Sequence, residues 1–195
     1  APAKGADPYS RFKTAVVARE SALSTVAGRI RVENANTRTR TVEVLEGRVW
    51  LQRPDKAAVI YEPPSAQTVV CDGSTTWFYQ PDVNQVTLSK GGAQPVFVEF
   101  QGGFRGMLDR KEVLSVKEEE GLFVLAVKRN GERLTIRVDR ETLLPVQIES
   151  RVDEIRTRVL FSQLESNPVI AEKTFTFAVP EGAEVLSLDE GGAGH

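Results

Sequence analysis

The chain has little of the chemistry that most catalytic and metal sites need. Its 195 residues include one cysteine, one histidine and one methionine, and the histidine is the last residue. A single cysteine excludes an intramolecular disulfide, and we expect Cys71 to be a small buried apolar residue rather than a reactive thiol. Zinc clusters, Ser-His-Asp triads and Cys-His pairs each need an internal imidazole or several ligands. The sequence therefore predicts no enzyme, no metal site and no cofactor.

Long apolar runs and a strong charge imbalance are also missing. No run reaches the roughly 18 apolar residues that a membrane-spanning helix needs. Lys and Arg total 25 against 27 Asp and Glu, a net charge of -2, so nothing favours nucleic-acid binding. The first 60 residues nevertheless carry 11 basic and 6 acidic side chains, which indicates either a solvated strand face or a surface for an acidic partner. The opening Ala1-Pro-Ala-Lys-Gly5 fits a mature secreted chain whose signal peptide was removed, or a chain trimmed at this point.

What the chain does contain is short, regularly spaced alternation. Asp7-Pro8, an N-cap followed by a first-turn proline, predicts a helix at about 8–24. After it, apolar and polar residues alternate in short runs that end at turn residues such as Asp72-Gly73 and Pro81-Asp82. About eleven antiparallel strands result, and a sheet that wide has to curl or close to bury one face. The segment from Ser89 to Leu108 predicts one or two short amphipathic helices instead.

The ends of the chain are assigned by the same patterns. Phe175, Phe177 and Val179 alternate and predict a last strand before Pro180-Glu-Gly182. We expect a flexible N-terminus at 1–7, a single domain at 8–186 and a disordered tail at 187–195.

Three stretches of the sequence resemble the LolA-like family of periplasmic outer-membrane lipoprotein carriers. They are Gly47-Arg-Val-Trp-Leu-Gln-Arg-Pro54 with Tyr61-Glu-Pro-Pro64, Val70-Cys-Asp-Gly-Ser-Thr-Thr-Trp-Phe-Tyr-Gln-Pro81 with Asn84-Gln-Val86, and Phe175-Thr-Phe-Ala-Val-Pro-Glu-Gly182. Their order and spacing agree with the family over about 25–185. Because LolB-like receptors and sensor domains resembling RseB share the central motif in weaker form, a lipid- or protein-sensing domain without transport is the alternative function.

The resemblance implies a fold and a function. The fold is mainly β, an incomplete antiparallel β-barrel of about eleven strands covered by an N-terminal helix and short central helices. The function is that of a monomeric periplasmic carrier that binds the acyl chains of lipoproteins in a hydrophobic cavity and shuttles them from the inner to the outer membrane. Its implied partners are an inner-membrane lipoprotein-releasing transporter and an outer-membrane receptor. The resemblance also implies that Arg53, the arginine before a proline, latches the lid by hydrogen bonds to lid carbonyls.

The apolar residues supply candidates for the acyl-chain site. By the two-residue period of a strand, Val49, Leu51 and Arg53 share one face, and Trp77 and Tyr79 share a face opposite Phe78. The central phenylalanines and Met107 are expected either to fill or rim the empty hollow or to be ordinary core residues under a loop. Strand aromatics are likewise either core or cargo contacts, and Arg53 either points into the hollow or lies exposed at a strand end. The residues predicted to line the site are Val49, Leu51, Ile60, Val69, Trp77, Tyr79, Phe97, Phe100, Phe104 and Met107.

Overall fold

The structure is a computed structural model that describes residues 7–90, 103–129 and 131–188. The first helix, α1, spans Pro8–Arg19 and is followed by a 3-10 turn at Glu20–Ala22, close to the predicted end at 24. The carboxylate of Asp7 accepts hydrogen bonds from the backbone N–H groups of Tyr9 and Ser10 at 3.0 and 3.2 Å. The predicted N-cap is therefore confirmed, and Asp7 belongs to the helix start rather than to a flexible N-terminus.

A second helix and twelve strands complete the described chain. The helix α2 spans Gly103–Asp109, which confirms a short helix in the central segment, while 91–102 lies outside the described residues. The strands are β1 Thr25–Asn36, β2 Thr41–Gln52, β3 Lys56–Tyr61, β4 Gln67–Cys71, β5 Thr75–Gln80, β6 Gln85–Lys90, β7 Val113–Glu119, β8 Leu122–Arg129, β9 Glu132–Asp139, β10 Pro145–Val152, β11 Ile155–Ser166 and β12 Glu184–Ser187.

These strands form one sheet in the order β12-β6-β5-β4-β3-β2-β1-β11-β10-β9-β8-β7. Neighbours pair antiparallel from β2 to β6 and from β7 to β11. Over the described ranges the order ends at β12 and β7, so the sheet is open. A mainly β fold with an unclosed sheet is thereby confirmed, with one strand more than the predicted eleven.

The additional strand corrects the prediction for the C-terminus. Phe175 ends a 3-10 turn at Glu172–Phe175, and Phe177 and Val179 lie outside any strand. The last strand is instead β12, which pairs in parallel with β6 from Glu184 opposite Gln85 to Ser187 opposite Leu88. The predicted strand was wrong because the apolar residues of this segment pack against the sheet as side chains without joining it. Ser187, which was predicted to begin a disordered tail, is in β12, and 189–195 lies outside the described residues.

The chain divides into two compact units. The first contains Ala1–Leu23, Ile30–Val44 and Gly103–Leu164, and the second contains Ser24–Arg29, Leu45–Gly102 and Glu165–His195. A single domain over 8–186 stays a prediction.

The core of the first unit forms where its helices meet the inner faces of its strands. Phe12 of α1 is 0% exposed and makes edge-to-face contacts with Phe104 of α2 and Phe123 of β8, with ring centroids 5.5 and 5.3 Å apart. Strict alternation along the strands supplies the rest of this apolar layer. Its buried strand residues include Phe123, Leu125, Val127, Leu134, Ile136, Val138 and Ile148.

Candidate functional site

The strands of the second unit carry apolar residues on both faces. On one face, Val49 of β2 lies opposite Val59 of β3, and Val59 lies opposite Val69 of β4. These three valines are only 1, 0 and 3% exposed. The same face carries Ala57, Tyr61 and Cys71, all buried. We call it the valine face.

Burial on the valine face affects the two polar side chains that lie there, Tyr61 and Cys71. Burial raises the pKa of the Tyr61 hydroxyl far above its ordinary value, because the charged phenolate would be deprived of water. The thiol of Cys71 is 2% exposed and donates to the backbone carbonyl of Asp55, so its prediction as a small buried residue is confirmed. Gly47 is needed here for close strand approach, since a Cβ at this position would lie 2.1 Å from the carbonyl oxygen of Ile60.

The opposite face of the same strands is aromatic. Trp50 lies opposite Ala58, Ala58 opposite Val70, and Val70 opposite Trp77 of β5. We call this the tryptophan face. Phe175, which is 1% exposed, packs with Ala58 and Val70 to form a core cluster, and Ile170 and Phe177 pack around it. The C-terminal segment therefore occupies the tryptophan face.

Ring contacts and a cation extend this cluster. The Phe177 ring stacks on Trp77 with centroids 6.1 Å apart, and its centroid lies the same distance from that of Tyr79. The Tyr79 hydroxyl donates to the side-chain oxygen of Asn84 at 3.2 Å. The guanidinium of Arg48 lies 5.1 Å from the centre of the Trp50 ring. These aromatic side chains are thus engaged by neighbours of the same unit.

The residues predicted to line one acyl-chain site fall into separate groups. On the valine face are Val49, Leu51 and Val69. On the tryptophan face are Ile60, Trp77 and Tyr79. Buried in α2 of the first unit are Phe104 and Met107. Outside the described residues are Phe97 and Phe100. The structure therefore does not bring all of them to one surface, because the first two groups point to opposite sides of the same strands.

The proposed latch residue lies at the end of β2. Arg53 follows Gln52 in a turn, is half-buried, and donates its backbone N–H to the carbonyl of Ser24 at 2.9 Å. Arg53 lies one residue beyond β2, so its place on the side of Val49 and Leu51 stays a prediction. The lid segment that it is expected to hold, Pro95-Val-Phe-Val-Glu-Phe100, lies outside the described residues, so the latch stays a prediction.

Glu20 makes a structural contact that the sequence did not indicate. Its side chain is 6% exposed, and its carboxylate accepts hydrogen bonds from the backbone N–H groups of Phe104 and of Arg105, the second at 2.7 Å. A negative charge at a helix N-terminus satisfies open donors and opposes the helix dipole favourably. Glu20 thereby fixes the start of α2 from 84 residues away, a distance over which no sequence pattern signals pairing.

We expect Glu20→Gln to lower the free energy of unfolding by about 1 to 3 kcal/mol, because an uncharged amide replaces a carboxylate that accepts one buried and one part-buried N–H donor. Urea unfolding followed by circular dichroism measures the change. Glu141→Gln, at an exposed position in the same unit, is the matched control and should stay within about 0.5 kcal/mol of the unchanged chain. A Glu20→Gln protein as stable as this control would show that the contact to α2 contributes nothing.

The described ranges lack two other features, a metal cluster and a membrane-spanning helix. Within them, no three His, Cys, Asp or Glu side chains are grouped so as to hold a metal ion. No helix in this part of the chain is both long and apolar enough to cross a membrane.

Comparison with known proteins places the chain in a family. The model of a family described as outer membrane lipoprotein carrier protein LolA matches residues 22–178. The outer-membrane lipoprotein carrier protein of Methylobacillus flagellatus is 31% identical over 154 residues, covering 74% of each chain. That of Chromohalobacter salexigens is 32% identical over 155 residues, covering 75% of this chain and 72% of the relative.

A solved structure shares the fold at low identity. The crystal structure of an uncharacterized conserved protein from Thermus thermophilus has a TM-score of 0.56 and 10% identity, and the match covers 92% of this chain and 98% of that one. The extent of the family match and the two carrier relatives lead to one conclusion: the chain belongs to the LolA family of outer membrane lipoprotein carrier proteins.

Proposed function

We propose that this protein is a periplasmic carrier that shelters the acyl chains of lipoproteins from water and shuttles them from the inner to the outer membrane. Membership of the LolA family over 22–178 carries the proposal, because the relatives named above are outer-membrane lipoprotein carriers. The partners would be an inner-membrane lipoprotein-releasing transporter and an outer-membrane receptor. The proposed role is binding without catalysis.

The valine face supports this role better than the tryptophan face does. Val49, Val59 and Val69 form a row across three strands, and Phe78 of β5 continues it opposite Val69. At about 4.8 Å per strand this row spans roughly 14 Å of apolar surface. The tryptophan face holds Phe175 and its neighbours, which pack there as part of the core. The three valines are themselves 0 to 3% exposed, so cargo would reach their face by displacing a cover. We therefore assign Val49, Leu51 and Val69 to the acyl-chain site.

Energetics restrict how such a site can work. Burying an acyl chain contributes about 0.8 kcal/mol per CH₂, so a 16-carbon chain gains on the order of 12 kcal/mol relative to water. The bilayer offers nearly the same gain. A carrier therefore needs a cover that competes with cargo for the apolar surface. With such a cover, the free energy changes of loading and of release are both close to zero. The predicted latch at Arg53 would control that cover.

A fluorescent fatty acid tests the proposal directly. We expect saturable binding near one equivalent, displaced by a triacylated lipopeptide but not by the same peptide without acyl chains. Leu51→Gln should weaken binding about fivefold or more, because it places an amide on the proposed apolar surface. Ile60→Gln is the matched control, since Ile60 lies on the opposite face and is 47% exposed. Absence of saturable binding would refute the carrier proposal, and equal effects of the two substitutions would refute the choice of face.

The latch makes a separate prediction. We expect Arg53→Leu to change the rate of fatty-acid or lipopeptide transfer to vesicles by about tenfold while the unfolding midpoint is retained, because the charge would no longer hold the cover. Arg48→Leu, on the tryptophan face of β2, should transfer at the unchanged rate. Transfer by Arg53→Leu that matches the unchanged chain would reject the latch. A protein that binds the probe but never transfers it would instead favour the sensing function.

A further inference from the structure

The outer faces of the first unit's strands are strongly basic. The strand residues that alternate with its buried apolar layer point away from α1 and α2, and register places them in contiguous rows, such as Lys117, Val124, Arg137 and Gln147. The basic residues of these rows are Arg31, Lys117, Lys128, Arg133, Arg137, Arg151, Arg156 and Arg158. The acidic residues are Glu33, Glu119, Asp139 and Glu149. Eight cations against four anions leave an excess of four positive charges. We call this surface the arginine face.

Two carboxylates connect three of its arginines. Glu33 accepts from Arg31 at 3.0 Å and from Arg158 at 3.3 Å, and Glu149 accepts from Arg156 at 3.0 Å. The hydrogen bond from Arg156, followed by the charges of Arg156, Arg158 and Arg137, holds the pKa of Glu149 below its ordinary value. Glu149 is therefore already ionised at neutral pH, and the positive excess of the face remains after its own ion pairs have formed.

Two further arginines of the face take no part in these ion pairs. Across the described ranges, no carboxylate lies within ion-pair distance of Arg137 or Arg151. The Nε of Arg151 donates to the backbone carbonyl of Asp153 at 3.4 Å. Both guanidinium groups therefore keep donors for an external acceptor.

The spacing and residue type suit carboxylates on a folded partner. Arg137 lies opposite Gln147 and Arg151 lies four residues further along β10, so strand geometry puts the two roughly 14 Å apart, close to the roughly 12 Å between acidic side chains at i and i+8 of a helix. The arginine guanidinium binds a carboxylate with two parallel hydrogen bonds. Arg156 already does so internally, with Nε and Nη2 donating to the two oxygens of Glu149 at 3.1 and 3.0 Å.

We propose that the arginine face is a docking surface for an acidic protein partner. A continuous anionic lipid surface fits it less well, because Glu33 and Glu149 lie within the face and would be opposed by phosphates at every approach. A protein can place neutral or basic groups opposite these two glutamates and carboxylates opposite Arg137 and Arg151. This inference concerns only the first unit and does not depend on the carrier proposal.

A designed helical peptide with glutamates at i, i+4 and i+8 on one face tests the proposal, with glutamine in place of those glutamates as the comparison peptide. The full chain should bind the glutamate peptide at low salt, and the logarithm of the affinity should fall linearly with the logarithm of the salt concentration. The double variant Arg137→Gln/Arg151→Gln should bind about tenfold more weakly and with a shallower salt dependence. Arg38→Gln, at an exposed turn position outside this face, is the matched control and should bind within about twofold of the unchanged chain.

Vesicles of phosphatidylglycerol and phosphatidylcholine complete the experiment. Binding of the glutamate peptide, with weak vesicle binding and sensitivity to the double variant, supports the proposal. Vesicle binding that exceeds peptide binding would assign the face to lipid headgroups and overturn it. Equal peptide binding by the double variant, by Arg38→Gln and by the unchanged chain would also overturn it, provided that thermal unfolding shows all three to be folded.

Discussion

Phe12→Ala is expected to lower the free energy of unfolding by about 3 to 5 kcal/mol, the range typical of fully buried phenylalanines. The Phe12 ring is 0% exposed and joins α1 to both Phe104 and Phe123 by edge-to-face contacts. Alanine would leave a cavity at the point where α1 and α2 meet β8. Such aromatic pairs contribute about 0.5 to 1.5 kcal/mol each beyond burial, so the loss belongs near the upper end of the range.

Urea unfolding followed by far-ultraviolet circular dichroism measures this loss. Val17→Ala is the matched control, because Val17 lies on the same helix and is 57% exposed, so its replacement should change stability by less than about 0.5 kcal/mol. If Phe12→Ala cost less than about 1 kcal/mol, α1 would not be packed on α2 and β8 as described.

Sequence patterns that act over a few residues, such as helix caps and turns, predicted the local structure correctly. Asp7-Pro8 predicted the start of α1 because capping and the fixed φ of proline act within a few residues. Asp72 forms the expected turn, with its carboxylate accepting from the backbone N–H groups of Ser74 and Thr75, and Gly73 takes a φ of +104°. β12 was missed because it is a four-residue strand held by pairing in parallel with β6, about 100 positions earlier in the chain.

The site was harder to predict, for a reason that lies in strand register. The two-residue period correctly placed Val49 and Leu51 on one side of their strand, and Trp77 and Tyr79 together on one side of theirs, whereas Arg53 lies beyond the end of β2. The period does not predict whether these two groups lie on the same face of the sheet, because that depends on which residues pair across β3 and β4. The register from Val49 to Val59, Val69 and Phe78 sets Trp77 on the other side.

Register also explains why apolar composition alone predicted too many residues for one acyl-chain site. The strands of the second unit need two apolar faces, one of which receives the C-terminal segment. Phe175 and Phe177 alternate with polar residues as a strand would, but their partners are side chains of the tryptophan face. The motif predicted to be a last strand is therefore a cover for one side of the sheet, and the opposite valine face, which is itself buried, is the apolar surface proposed for cargo.

Phe175→Ala tests this division of faces. Phe175 is 1% exposed between Ala58 and Val70, so we expect a loss of about 3 to 5 kcal/mol in the free energy of unfolding. The chain has only two tryptophans, Trp50 and Trp77, and both pack against this cluster. Their emission should therefore shift to longer wavelength at lower urea concentrations than in the unchanged chain.

The same variant separates stability from cargo binding. Under conditions where Phe175→Ala remains folded, fatty-acid binding should stay within about twofold of the unchanged chain, because the proposed contacts of Val49 and Val69 lie on the other face. Val179→Ala, 47% exposed in the same segment, is the matched control for both stability and emission. A folded Phe175→Ala protein that no longer binds fatty acid would move the acyl-chain site to the tryptophan face, where the C-terminal segment would then be a part of it.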